Sequence, residues 1–526
     1  MIALAEKAAL SVRARAAEIL AKVDTQKAYA DILLDRALKN RPMDERDRAL
    51  LTEIVYGTLR WRGKIDAELA KYLHRPLLRT DSRIRNLLRL TYYQLVFLDR
   101  VPDYAAVSEA VEIAKLHGGK KAAGFVNGVL RNFLRSKPVS TIGSEKLSRS
   151  PLAVEYSHPE WLVKMWTEQF GLESAIRLMR ANNEKPPLVL RANSLKCTTQ
   201  QLLQLLFEAG VTAKPTRQSP QGISLQSTGA VENIPGFAEG LFQVQGESSQ
   251  LIAPLLSAIP GERILDACAA PGGKATHIAE IMENRGEIIA IDKSATGIAQ
   301  LRENLNRLGI TSVRPYRADV SQQLDDDLSG PYDRILVDAP CSGFGTLRSH
   351  PEIKWHRDPA DILRLRALQT KILDCVAPHL KLGGILIYAT CTLTAEENER
   401  NVESFLARHP GFELENAARY LPNEAQQMTN ANYFEALPNR DDTDGFFAAR
   451  MIRPFQAEGR KQRRIIQQQT QQVQPDQKEQ RLHQKHPHDV LHFVVSHFMS
   501  LTIQNPVDVA ACPPDAGGQL GSCGGA

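Results

Sequence analysis

The stretch Asp266-Ala267-Cys268-Ala269-Ala270-Pro271-Gly272-Gly273-Lys274 decides the fold. It follows the apolar run Arg263-Ile264-Leu265 and reads as the turn between a strand and its helix. Adjacent glycines let backbone approach a ligand closely, and a helix N-terminus favours a negative group such as a carboxylate. Four further strand-like runs follow: Glu287-Ile288-Ile289-Ala290-Ile291-Asp292, Val313 to Arg317, Arg334-Ile335-Leu336-Val337-Asp338 and Gly384-Ile385-Leu386-Ile387-Tyr388. Apolar runs separated by helical segments predict a parallel, doubly wound sheet, whose ligands bind beyond the carboxyl ends of the strands. The first four runs end at or just before an acid. Asp292 stands where an acid commonly holds ribose hydroxyls, and Asp319 is placed to meet an adenine edge. A glycine pair alone marks any tight turn. Together with acids ending successive strands, it points to a nucleoside cofactor.

Seven cysteines lie at 197, 268, 341, 375, 391, 512 and 523. The odd number, the wide spacing and the charged N-terminus argue against a disulfide framework, and no pair has the C-x-x-C spacing of a zinc site. Free cysteine is commonly a core residue, and Cys197, Cys268 and Cys375 read as buried thiols. Cys341, in Asp338-Ala339-Pro340-Cys341-Ser342-Gly343, and Cys391, in Tyr388-Ala389-Thr390-Cys391-Thr392, follow two strands and so sit above one sheet edge.

The flanking segments differ in character. Residues 1–137 have apolar residues at helical spacing and carry 26 Lys+Arg against 16 Asp+Glu, whereas the rest of the chain is mildly acidic although the whole is +5. A basic helical block suggests a polyanion-binding module. Lys120, Lys121 and Arg131 are its candidate phosphate contacts, with solvated helix faces the default reading. Residues 138–185 read as linker and connector helices, and 186–248 as a small α+β module. There Arg191 and Asn193 are either RNA contacts or part of an exposed strand face. Residues 249–454 hold the strand–helix alternation. Residues 455–526 are polar and expected to be disordered, with a short docking helix at Val490 to Leu501 and five histidines at 483–497 that carry no metal assignment. No run reaches the length of a membrane span, so a cytoplasmic location is expected.

The motifs DACAAPGGK, DAPCSGFGTLR, HPEIKW, GGILIYATCT with EEN after it, and DGFFAAR resemble, in order, those of RNA cytosine-C5 methyltransferases. The N-terminal block resembles the RNA-binding domain of the antitermination factor NusB. The combination is similar to the bacterial 16S ribosomal RNA methyltransferases of the RsmB (Sun/Fmu) type, over roughly residues 10–453. The resemblance implies an α/β, Rossmann-like S-adenosylmethionine-dependent methyltransferase domain, preceded by an all-α NusB-like domain and a small ferredoxin-like module. It assigns Cys391 as nucleophile at cytosine carbon 6, Cys341 to product release, and Asp338 to the cytosine N3/N4 edge. It implies S-adenosylmethionine, without a metal, held by Cys268, Ala269, Ala270, Pro271, Gly272, Gly273, Lys274, Asp292, Asp319 and Asp338. The partner implied is 16S rRNA, unassembled or early in small-subunit assembly, and the enzyme is expected to be a monomer.

The chemistry supports these roles. A thiolate adding at carbon 6 makes carbon 5 enamine-like and able to attack a methyl sulfonium, which divides one hard step into easier ones. The target must be unstacked, so a single-stranded or loop cytosine is expected. Ala275, Gly297, Thr392 and Gly246 depart from residues common at these positions, and none removes a catalytic group. Lys354 and Trp355 either support substrate binding or pack against the domain. The competing readings are a tRNA or other rRNA cytosine as target, and a non-catalytic RNA-binding assembly factor. An exocyclic amino-methyltransferase calls for an Asn/Asp-Pro-Pro-aromatic signature, which DAPCSG is not.

Overall fold

The computed structural model describes residues 11–40, 43–136, 151–226 and 229–455. The expected docking helix and the histidines at 483–497 lie outside the described residues. Helices Val12–Gln26, Ala30–Asn40, Glu45–Arg60, Arg62–Ala70, Ser82–Phe97 and Asp103–Ser136 form the N-terminal part. Ser11, Asp44 and Asp81 cap three of them by accepting backbone N–H bonds of the first turn. The last helix is broken where Gly118 and Gly119 leave helical geometry, at the glycine pair visible in the sequence. Leu20, Val23, Ile54, Leu88 and Leu130 meet in one buried core.

Part of the basic charge of this block is spent internally. Asp24 is almost fully buried and is paired with Arg62, Arg85 and Arg89. Burial would raise its carboxyl, but these guanidiniums hold it below the usual carboxylate range. Lys120, Lys121 and Arg131, in contrast, are exposed.

Strands β1 (Leu188–Ala192), β2 (Ala213–Pro215), β3 (Gly222–Leu225) and β4 (Phe242–Val244) form an antiparallel sheet in the order β2-β3-β1-β4. Helix Thr199–Glu208 packs on it through Leu202 and Leu206. Here the structure corrects both readings of Arg191 and Asn193, which are fully buried. The Arg191 guanidinium pairs with Glu280 at 2.6 Å and donates to Thr276 Oγ1, Gly273 O and Gln245 Oε1. It ties β1 to helix Gly273–Ile281. Asn193 donates to Gly240 O and Leu308 O. Removing one partner of a buried ion pair leaves the other uncompensated. Arg191→Ala is therefore expected to destabilise the protein by about 3–5 kcal/mol, read as a fall in denaturation midpoint. A change below about 1 kcal/mol would contradict this account.

Strands β5 (Arg263–Asp266), β6 (Glu287–Asp292), β7 (Val313–Arg317), β8 (Tyr332–Asp338) and β9 (Leu380–Thr390) pair in parallel, in the order β7-β6-β5-β8-β9. This is the expected Rossmann-like arrangement. The sheet does not stop at β9, however, and the expectation of an all-parallel sheet is corrected. Strand β13 (Phe446–Ile452) runs antiparallel beside β9, followed by β12 (Tyr433–Ala436) and β11 (Thr429–Asn430), with β10 (Glu413–Glu415) also pairing β13. The segment 437–445 between β12 and β13 is too short for a parallel crossover, so the two must run antiparallel. That return brings Asp444 and Phe446 to the carboxyl ends of β8 and β9. No helix among the described residues is long and apolar enough to cross a membrane.

Candidate active site

Strands β5, β8 and β9 are neighbours, and the segments leaving their carboxyl ends surround a cavity of about 540 Å³. Ala339 N donates to Ala389 O at 2.8 Å, which extends the β8–β9 ladder past Asp338 and brings the two cysteine loops side by side. Cys341 Sγ and Cys391 Sγ are 3.3 Å apart, and both line the cavity. The hydrogen bond from Cys341 lowers the Cys391 thiol, Lys274 and His350 favour its thiolate further, and burial and Asp338 oppose them. Cys341 is pushed up by the same hydrogen bond and by burial, with Glu397 adding to the effect. Lys274 and His350 thus place positive charge on the Cys391 side of the pair, and Glu397 places negative charge on the Cys341 side.

Glu397 holds the two loops together and was not singled out from the sequence. It is fully buried. It accepts from Ser342 N (2.9 Å), Ser342 Oγ (2.5 Å), Gln369 Nε2 (2.9 Å) and Thr394 Oγ1 (2.8 Å). Ser342 Oγ also lies 2.6 Å from Thr392 Oγ1, so Thr392 keeps a hydroxyl in the network beside Cys391. The only sequence signal was an acid in the motif EEN, with no means of telling that it is buried. Glu397→Ala is expected to lower turnover about 10- to 100-fold through misplacement of the two thiols. Affinity for S-adenosylhomocysteine, measured by calorimetry on the same variant, should stay near wild type. Equal losses in both would show a general collapse instead.

Beside the sulfurs, Asp338 Oδ2 and Lys274 Nζ form a 2.5 Å ion pair, and the Lys274 ammonium lies 4.8 Å from the Phe446 ring centroid. Asp266, at the end of β5, is buried with neither side-chain oxygen hydrogen-bonded, and its carboxyl is pushed up to about 7 by burial and by Asp338. Cys268, Ala269, Ala270, Pro271, Gly273 and Lys274 line the cavity, whereas Gly272, Asp292 and Asp319 do not. Gly272 has φ 106°, and a Cβ there would lie 2.4 Å from Leu301 Cδ1, so the turn requires glycine. Asp292 touches the loop, accepting from Ala270 N at 3.1 Å and from Ser294 N at 2.8 Å. Asp319 is exposed and bonded to Ser321. Gly297 finds its explanation here: a Cβ would lie 2.6 Å from Ala270 Cβ, inside the space taken by the loop.

Lys354 and Trp355 are not cavity residues. Lys354 is buried, its Nζ donating to Arg60 O at 2.9 Å and Asn183 Oδ1 at 3.3 Å, while Trp355 Nε1 donates to Leu59 O at 2.9 Å. Both satisfy carbonyls at the end of helix Glu45–Arg60, and burial, with Arg60 beside it, pushes the Lys354 amine well below its ordinary range. They join the helical part to the catalytic part. Nearby, burial would lower His350, but Glu352 outweighs it and holds the imidazole up to about 9. Asp31, His350 and Glu352 have side-chain ligand atoms within 4.8 Å of one another. With His350 protonated at neutral pH, the group reads as an ion pair.

The fold and the site together define an S-adenosylmethionine-dependent RNA methyltransferase. Residues 253–452 match the family model of the 16S rRNA methyltransferase RsmB/F, residues 10–135 that of the NusB family, and residues 158–232 that of the RsmF/B-like ferredoxin-like domain. The last span takes in connector helices that the sequence reading left outside the small module. The probable ribosomal RNA small subunit methyltransferase B of Bacillus subtilis is 38% identical over 442 residues, covering 84% of this chain and 98% of that protein. The methyltransferase B of Pseudomonas syringae pv. tomato is 37% identical over 448 residues, covering 84% and 97%. Among solved structures, PH0851 superposes with a TM-score of 0.74 at 26% identity, covering 84% of this chain and 99% of that one. NSun6 from Pyrococcus horikoshii with SFG gives 0.50 at 25% identity, covering 56% and 98%. The chain belongs to the RsmB/F family of 16S rRNA methyltransferases.

Proposed function

We propose that the protein methylates carbon 5 of a cytosine in 16S rRNA through a covalent adduct of Cys391 with cytosine carbon 6. The observation that carries this reading is the pair of sulfurs 3.3 Å apart at the wall of one cavity, beside the Asp338–Lys274 ion pair. A methyltransferase acting on an exocyclic amine needs neither thiol.

The residues present fit S-adenosylmethionine. The Cys268–Lys274 turn leads into the N-terminus of helix Gly273–Ile281, and Asp266 has two buried oxygens open to a donor. When bound, the cofactor supplies an electrophilic methyl group. The loop would hold its methionine end and Asp292 its ribose. The Cys391 thiolate adds to carbon 6, and the displaced electron pair gives carbon 5 its nucleophilic character. Asp338, in its acid form, gives N3 a proton as the thiolate adds. After transfer, N3 returns that proton to Asp338, solvent takes the carbon 5 proton, the 5,6 double bond re-forms and the carbon 6–sulfur bond breaks to expel Cys391, with Cys341 assisting release. Exposed Lys120, Lys121 and Arg131 suit phosphate contact, and a monomer acting on RNA before or early in assembly is the arrangement proposed.

The test is methylation of a 16S rRNA transcript and of bulk tRNA with methyl-labelled S-adenosylmethionine, followed by mass mapping of nucleosides. 5-Methylcytosine in the 16S arm is expected. Label on an exocyclic nitrogen, or in tRNA alone, would sink the reading.

A further inference from the structure

The cavity that holds the two sulfurs is lined almost entirely by the catalytic and small modules, and the helical part contributes Tyr29. The tyrosines at the heart of the helical core, Tyr92 and Tyr93, are buried, whereas Tyr29 is 40% exposed. Its neighbours are clamped. Lys27, left-handed at φ 51°, ends helix Val12–Gln26 and donates through Nζ to His356 O. Ala30 N donates to Glu352 Oε1 at 3.1 Å, and His356 Nε2 meets Val23 O at 3.1 Å. Glu352 in turn pairs with His350, which lines the same cavity. The Ala30 N–H bond after Tyr29 and the Lys27 side-chain bond before it thus hold the chain against the segment that follows the Cys341 loop, while Tyr29 itself stays partly exposed at the cavity.

A rigid backbone presenting an open aromatic ring to a nucleotide-sized cavity is what an unstacked base requires. RNA recognition of single-stranded elements works by splaying bases onto aromatic faces, and each such stack contributes about 1–3 kcal/mol. We infer that Tyr29 is a stacking platform for an unstacked nucleobase of the RNA substrate, delivered to the catalytic cavity by the helical part. This rests on the RNA reading above and adds a specificity residue to it. The helical part then does more than grip phosphates: it completes the wall against which the substrate is presented.

The experiment compares wild type, Tyr29→Ala, Tyr29→Phe and Tyr29→Trp on the 16S rRNA transcript under single- and multiple-turnover conditions. Melting temperature and S-adenosylhomocysteine affinity are measured alongside. Tyr29→Ala should lower kcat/KM for RNA about 5- to 100-fold, with cofactor affinity and melting unchanged. Tyr29→Phe and Tyr29→Trp should stay within about twofold of wild type, because the face and not the hydroxyl stacks. Wild-type rates in Tyr29→Ala, or equal damage from Tyr29→Phe, would overturn the platform while leaving the methyltransferase reading intact. Absence of 5-methylcytosine with wild type would remove that reading and this inference together.

Discussion

Cys341→Ala, mixed with 16S rRNA and S-adenosylmethionine, is expected to accumulate a protein–RNA adduct that survives denaturing electrophoresis. The adduct should vanish when Cys391→Ala is introduced into the same chain. The two sulfurs touch, but their surroundings divide the labour. The hydrogen bond between them lowers Cys391 and, with burial, raises Cys341, and Lys274 and His350 on one side and Glu397 on the other act in the same sense. Removing the nucleophile abolishes the covalent route, so Cys391→Ala should lose about four orders of magnitude of turnover or more. Removing Cys341 leaves bond formation possible and slows release, at about 10²- to 10⁴-fold in turnover. It also removes the hydrogen bond that lowers Cys391, so adduct formation in Cys341→Ala should shift to higher pH. Full methylation by Cys391→Ala, or an adduct that persists in the double variant, would refute the assignment.

Asp338→Asn should produce the second large loss, about 10²- to 10⁴-fold in single-turnover methylation. Asp338 is the group placed to hydrogen-bond the cytosine edge and to give N3 the proton it takes up as carbon 6 is attacked, and an amide of the same shape has no such proton to give. The thiol gives an internal control. The Asp338 charge pushes Cys391 up, so its removal favours the thiolate. A slower reaction in Asp338→Asn therefore cannot be explained by a smaller fraction of thiolate. Wild-type rates in this variant would remove Asp338 from the chemistry.

The parallel core was legible because each of its central strands is buried on both faces and so reads as a continuous apolar run. Ile288, Ile289, Leu336, Val337, Leu386 and Ile387 are all inside. The acids and cysteines at the strand ends were legible for the same reason, since a strand end marks its own position. What escaped was every feature made by partners far apart in sequence. Arg191 looks like a surface cation until Glu280, 89 residues away, is placed against it. Lys354 needs a carbonyl from Arg60 of the helical part, and Glu397 needs donors from three separate segments. The antiparallel edge was missed because β11, β12 and β10 are short, and short strands leave little alternation to read.

The bonds from Lys354 and Trp355 to the end of helix Glu45–Arg60 have a geometric corollary. With that joint buried and closed, the span from the outer basic helices to the Cys391 sulfur is a set length. On the function proposed above, the protein would work as a caliper, taking an RNA whose distance from held backbone to reactive cytosine matches the opening.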